Sequence, residues 1–181
     1  MDKSFTSKLK VVIVNGMPES GKTTFEHMCE DIIGSEMCLI YSTIDPIKQI
    51  ATTIGWDGTK TPRNRKFLSD LKDLLTEYND YSLNAVKNQI EKFENGLKLF
   101  EMNSLPHVAF IDCREPGEIE KLKRQLNAVT LLVQRPGVKM EFSNHADAEV
   151  MNYTYDCIIE NNGSLDGLRE KAEVFLNLLF L

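Results

Sequence analysis

The sequence is short of the features that mark several large classes of protein. It has 4 cysteines in 181 residues. Cys29, Cys38, Cys113 and Cys157 show no C-x-x-C spacing, so neither a zinc site nor a disulfide framework is indicated. No segment reaches the run of about 18 apolar residues that a membrane span needs, and Met1 to Ser7 hold no apolar stretch of signal-peptide length. A soluble, cytoplasmic chain with no membrane partner is expected. Positive charge is scarce too: 21 Lys and Arg against 27 Asp and Glu leave a net charge of −6. Non-specific nucleic-acid binding needs a basic footprint, so no nucleic-acid partner is expected and any anionic ligand must be held by a local basic site. No internal repeat is visible, and the length suits one domain over residues 1–181 with a single substantial core.

What is present begins at Val11-Val12-Ile13-Val14-Asn15-Gly16-Met17-Pro18-Glu19-Ser20-Gly21-Lys22-Thr23-Thr24, an apolar run that breaks into a glycine-spaced loop and opens a helix. This is the P-loop pattern G-x-x-x-x-G-K-[ST] in its strand-then-helix context. Gly16 and Gly21 let the backbone take conformations closed to other residues and approach a ligand closely. The resulting nest of N–H groups, backed by the positive end of a helix, is an anion cradle. In such a loop Lys22 would reach the β- and γ-phosphates of ATP and the Thr23 hydroxyl would ligate Mg²⁺.

Apolar periodicity predicts strands at Lys10–Asn15, Met37–Tyr41, His107–Asp112, Ala128–Val133 and Cys157–Ile159. Helices are expected from Lys22 to Ile33, from an Asp45 N-cap with Pro46 at the first helical position, from Pro62 to Asn79, from Tyr81 to Glu101, from Pro116 to Leu126, and from Ser164 as N-cap to Phe180. In the third of these, Phe67, Leu71, Leu74 and Tyr78 fall on one apolar stripe. The stripe of Leu83, Val86, Ile90, Phe93, Leu97 and Phe100 is too short for a sustained coiled coil and reads as ordinary packing. Strands alternating with helices predict a doubly wound α/β fold with a parallel sheet.

Three further stretches carry chemistry. Phe110-Ile111-Asp112-Cys113-Arg114 ends an apolar strand in an acid, and ligands of open parallel sheets bind beyond the carboxyl ends of strands. Asp112 could hold Mg²⁺ as a Walker-B acid does, and Arg114 could fork onto a phosphate. The alternative is a surface pairing of Arg114 with Asp112 or Glu115. Lys60, Arg63, Arg65 and Lys66 crowd a helix start, where cations oppose the dipole unless an anion is bound. Arg63 and Arg65 are therefore acceptor-phosphate candidates, the alternative being a solvated basic face. The polar connector with Arg135, Lys139, Asn144 and His145 has the length of a functional loop, often a lid.

The Gly16 loop, Ser42-Thr43-Ile44-Asp45-Pro46-Ile47-Lys48 with Gly55-Trp56-Asp57-Gly58, Ile111 to Pro116, and Tyr155 to Leu165 together resemble the P-loop nucleoside and deoxynucleoside monophosphate kinases. The likeness is strongest to the deoxynucleotide monophosphate kinase-like branch. It implies a three-layer αβα fold with a five-stranded parallel sheet ordered 2-3-1-4-5, a helical acceptor insert at about 45–102 and a lid at about 134–151. It also implies ATP and Mg²⁺ as cofactors and a small phosphorylated substrate, in a monomer or homodimer. Gly16, Glu19, Ser20, Gly21, Lys22, Thr23 and Thr24 would meet the ATP phosphates, Thr23 and Asp112 the metal, and Asn162 the adenine. Asp45, Arg63, Arg65 and Arg114 would face the acceptor. Lys22, Arg114 and Arg135 would serve the transfer itself. The expected function is a phosphotransferase that moves the γ-phosphoryl group of ATP to a (deoxy)nucleoside monophosphate. The alternatives are a kinase of another phosphometabolite and a nucleotide-binding module without turnover, the latter because Glu19 stands where a small residue is usual.

Overall fold

The apolar run before Gly16 has no polar side to turn to solvent, and the fold buries Val11 to Val14 completely or nearly so. In the computed structural model, which describes residues 9–137 and 150–181, this run is strand β1 (Leu9–Asn15) at the centre of a sheet. Helix α1 (Lys22–Ile33) follows the loop, then β2 (Cys38–Ser42). Three helices, α2 (Asp45–Thr53), α3 (Pro62–Asn79) and α4 (Tyr81–Leu99), intervene before β3 (His107–Asp112). The chain continues through α5 (Pro116–Leu126), β4 (Val129–Gln134), β5 (Cys157–Glu160) and α6 (Leu165–Leu179). Lys139, Asn144 and His145, and with them most of the expected lid, lie outside the described residues.

The five strands are parallel and ordered β2-β3-β1-β4-β5, as expected. Period-two alternation divides their side chains between two cores. Val12, Val14, Val108, Phe110, Leu131 and Val133 face Phe25 and Cys29 of α1 and Leu168, Ala172, Phe175 and Leu176 of α6. Val11, Ile13, Ala109 and Ile111 face Leu83, Val86 and Ile90 of α4 and Ile119 and Leu122 of α5. Each large apolar side chain so buried stabilises the fold by roughly 1.5–3 kcal/mol, an upper range because unfolded chains are already partly compact.

Register then levels the strand ends. Val14 pairs with Asp112, and Ser42 on the other side pairs with Asp112 as well, so the carboxyl ends of β1, β3 and β2 open on one edge. The expectation that Asp112 neighbours the Gly16 loop follows directly from this pairing.

Some local expectations are corrected. Asp45 is the first residue of α2 rather than its cap; Ile44 holds the cap position, and Asp45 Oδ2 instead accepts from the Ser42 amide at 3.0 Å. The α3 stripe does not stay on one buried face, for Leu74 is 62% and Tyr78 80% exposed. The side chain that α3 does bury is Lys72, because Glu118 at the start of α5 answers it across 2.6 Å. Helix α4 stops at Leu99, leaving Phe100 in solvent. No described helix is long and apolar enough to cross a membrane.

Candidate active site

The loop between β1 and α1 has the geometry that its glycines foretell. Gly16 adopts φ +152° and a Cβ there would lie 2.2 Å from the Val133 carbonyl oxygen, so only glycine lets the loop pass this close to β4. At Gly21, φ is +96° and a Cβ would meet Asn161 Nδ2 at 2.4 Å. Asn161 uses that nitrogen to donate to the Ser20 carbonyl at 3.0 Å, while its own amide donates to Gln134 O at 2.7 Å. Glu19 also takes a left-handed conformation, φ 62°, which costs a residue with a side chain roughly 1–2 kcal/mol.

Gly21 caps α1 without a side-chain bond, so the first amides of the helix keep their capacity for an anion. Lys22 folds back over the loop, its Nζ donating to the carbonyls of Gly16 at 2.6 Å and Met17 at 3.2 Å. Thr23 and Thr24 stand exposed at the mouth, and Ser20 is buried with its Oγ unpartnered among the described residues. A cleft of about 380 Å³ runs from Glu19, Ser20, Gly21, Lys22, Thr23 and Thr24 to Arg135, Asn161 and the start of α6.

Asn15, buried at the end of β1, was not singled out by sequence reasoning. Its Oδ1 accepts from the Gly16 amide at 2.8 Å, and its Nδ2 donates to the Arg114 carbonyl at 3.3 Å and to the Tyr155 hydroxyl at 2.8 Å. Tyr155 in turn donates to Val150 O at 2.9 Å and packs on Met17, Leu132 and Val150. One amide side chain therefore ties the loop, the Arg114 backbone and the chain returning to β5. A polar residue closing an apolar strand directly before Gly16 is the signal that could have drawn attention to it.

Asp112 ends β3 beside Val14 of β1, outside the lining of the cleft. Its Oδ1 is buried with no hydrogen-bond partner among the described residues, and burial raises its pKa against the opposing pull of Lys22 and Arg114. Glu26, one turn along α1 from Lys22, was likewise missed. It is 0% exposed with both carboxylate oxygens unpartnered among the described residues, and burial, helped by the charge of Asp112, pushes its pKa up to about 8.

The remaining expected residues are placed unevenly. Arg114 is half-buried beside Asp112, whose charge it helps to favour. Arg135 is exposed and lines the cleft. Asp45 is occupied by the Ser42 amide and by Lys48 at 2.9 Å. Arg63 and Arg65 are exposed at the start of α3, outside the lining of the cleft, with Arg65 Nε donating to Lys60 O at 3.3 Å. In the turn after β5 it is Asn161 that touches the loop, whereas Asn162 faces Glu160 and Lys171.

No protein-family model and no curated protein matches the chain. Solved structures do. An unliganded sugar kinase from Janibacter sp. HTCC2649 is similar at 14% identity with a TM-score of 0.52, over 93% of this chain and 95% of that one. Shikimate kinase from Acinetobacter baumannii in complex with shikimate is similar at 13% identity and a TM-score of 0.46, covering 94% and 93% of the two chains. Thymidylate kinase from Ehrlichia chaffeensis is similar at 12% identity and a TM-score of 0.41, covering 93% and 98%. At these identities the likeness is one of fold, and the first of the three carries it.

Proposed function

We propose that this chain, which shares its fold with a sugar kinase, transfers the γ-phosphoryl group of ATP to a small phosphorylated acceptor, with (deoxy)nucleoside monophosphates as the first class to test. The observation that carries the reading is the loop itself: a tight turn that a Cβ at Gly16 would block, covered by Lys22, with Asp112 at the end of the neighbouring strand. The residues also fit a divalent cation, because the unpartnered Asp112 oxygen and the exposed Thr23 hydroxyl supply the hard oxygen donors that Mg²⁺ takes beside phosphates. Bound with the nucleotide, Mg²⁺ supplies charge neutralisation on the phosphates.

In this mechanism the chain's own residues position and neutralise. The helix amides and the loop backbone hold the donor phosphates, and Lys22 exchanges the Gly16 and Met17 carbonyls for phosphate oxygens, which are stronger acceptors. Arg114 holds the acceptor phosphate near Asp112. The bond from the γ-phosphorus to the β–γ bridging oxygen breaks as a bond to an acceptor phosphate oxygen forms. A phosphate monoester with a second pKa near about 6 is already ionised at neutral pH, so no general base is required. Arg135 at the rim lends charge to the transferring group.

A second reading, a nucleotide-binding module without turnover, has its own observation: the Glu19 carboxylate lines the cleft where phosphates would lie. ATP consumption against a panel of ribo- and deoxynucleoside monophosphates and non-nucleotide phosphometabolites decides among the readings. Turnover with a nucleotide is the expected result; turnover only with a non-nucleotide reassigns the acceptor, and ATP binding without turnover on any acceptor selects the module.

A further inference from the structure

Helix α1 carries an acid in a place that its own packing does not explain. Phe25 and Cys29 flank Glu26 along the helix and belong to the apolar core, yet Glu26 is buried as deeply as they are. An ionised carboxylate left without partners in such a place costs several kcal/mol. A carboxyl buried in this way keeps its proton or takes a partner that arrives with a ligand or an ion.

The surroundings identify the partner's sign. Glu26 lies one helical turn from Lys22 and feels the charge of Asp112, which Lys22 opposes, while Asp112 in turn feels Lys22, Arg114, Asp45 and Lys48. Of these, Lys48 is engaged with Asp45, and Lys22 donates to the loop carbonyls. Both Glu26 oxygens and Asp112 Oδ1 therefore make three buried acceptor atoms without a partner among the described residues, set between α1 and the carboxyl end of β3. Thr23, three residues before Glu26 on the same helix, is exposed and lines the cleft. Among the described residues no cluster of three or more His, Cys, Asp or Glu could hold a metal by protein groups alone. Mg²⁺ does not ask for one; it binds through one or two carboxylates together with substrate phosphates and water.

We propose that Glu26 is a second carboxylate of the divalent-cation site, acting alongside Asp112 on the cation that accompanies the nucleotide phosphates. The proposal rests on the phosphotransferase reading above. Glu26 acts as a positioning residue, strengthening the hold on the cation without contact with the reacting atoms. It makes the cation site of this chain a two-carboxylate site whose second member is hidden in the helix that follows the loop.

The test is Mn²⁺ binding, followed by the loss of the free-ion paramagnetic signal, to the full chain saturated with a non-hydrolysable ATP analogue. Glu26→Gln should weaken Mn²⁺ roughly ten- to a hundredfold, the range found when groups that support metal ligands are removed. Affinity for the metal-free nucleotide should not fall, a split that a merely structural role would not produce. Glu26→Asp, which keeps the charge on a shorter stem, should recover part of the loss. Should the Gln variant not fold, the Asp variant decides alone, a measurable weakening being the supporting result. Mn²⁺ affinity within twofold of the parent in the folded variant overturns the proposal and leaves the roles of Lys22 and Asp112 standing. Absence of any Mn²⁺–nucleotide complex in the parent chain overturns both.

Discussion

The loop at Gly16 and the cation-bearing turn before α3 are held in opposite ways. At the loop the constraints come from far along the chain: Val133 limits Gly16, Asn161 reaches Ser20, and Asn15 joins Arg114 and Tyr155. At the turn they are all local. Asp57 Oδ1 accepts from the Thr59 amide at 2.9 Å, Asn64 Nδ2 donates to Thr59 Oγ1 at 2.7 Å, and Thr61 caps the helix through the Asn64 amide. The long-range side-chain hydrogen bonds of α3 among the described residues lie further on, where Lys72 and Thr76 both meet Glu118. The proposed donor loop is thus tied to the sheet, while Arg63 and Arg65 sit at a turn held by local hydrogen bonds. Their distance from the loop is a matter of how that turn docks.

The comparison breaks first at Lys22. Lys22→Ala should reduce phosphoryl transfer at least 10²–10³-fold, the scale for losing one charge-stabilising donor, with the melting temperature little changed because the side chain is only half-buried. Steady-state turnover with ATP·Mg²⁺ and a thermal melt measure both. Wild-type turnover would show that the loop does not hold the donor.

On the other side of the comparison, Arg63→Ala or Arg65→Ala should raise the acceptor KM about ten- to a hundredfold while ATP affinity hardly moves, since arginine–phosphate contacts contribute roughly 1.5–3 kcal/mol each. Varying each substrate in turn separates the two. Equal weakening of both, or of neither, would remove α3 from acceptor recognition.

Glu26 sharpens the donor side through pH. Its carboxyl lies at about 8 in the fold against an ordinary 4.5, raised by burial first and by Asp112 second, with Lys22 opposing. Between those values the folded chain keeps a proton that the unfolded chain has released. The resulting stability is intact below about pH 4.5 and is lost as pH rises through 8. Denaturant unfolding without metal should therefore show stability falling over that interval in the parent chain, and a flatter profile in Glu26→Gln. Identical profiles would mean that Glu26 does not titrate in this window.

Tyr155→Phe is the mildest perturbation. It removes the hydroxyl that accepts from Asn15 and donates to Val150, so stability should drop by about 0.5–1.5 kcal/mol, with a several-fold loss of turnover as the Arg114 backbone loosens. Calorimetry alongside kinetics checks it; a full-strength variant would reduce the Asn15 network to packing.

These contrasts also explain what could be read in advance. The shape of the loop was legible because Gly16 and Gly21 follow backbone rules that the glycine spacing itself carries, although Val133 and Asn161, which enforce them, lie far along the chain. The strands were legible because a doubly covered strand is apolar throughout, and the 2-3-1-4-5 order came with the family resemblance. Contacts between distant residues left weaker marks. Leu74 and Tyr78 obey helical spacing yet face solvent, since nothing in the pattern tells which stripe of α3 meets the core. Lys72 and Glu118 look like surface charges until the fold brings them together. Asn15 and Glu26 were passed over for the same reason: the surroundings of a polar residue beside apolar neighbours, Arg114 and Tyr155 for Asn15 and Asp112 for Glu26, come from distant parts of the chain.

The account stands most directly on the fate of the γ-phosphate. ATP labelled in that position, incubated with the protein, Mg²⁺ and a mixture of nucleoside and deoxynucleoside monophosphates, should pass its label to one or a few of them as the corresponding diphosphates, and the Lys22→Ala protein should pass none. Label that stays in ATP, or appears only as inorganic phosphate at a rate the acceptors do not alter, would contradict it.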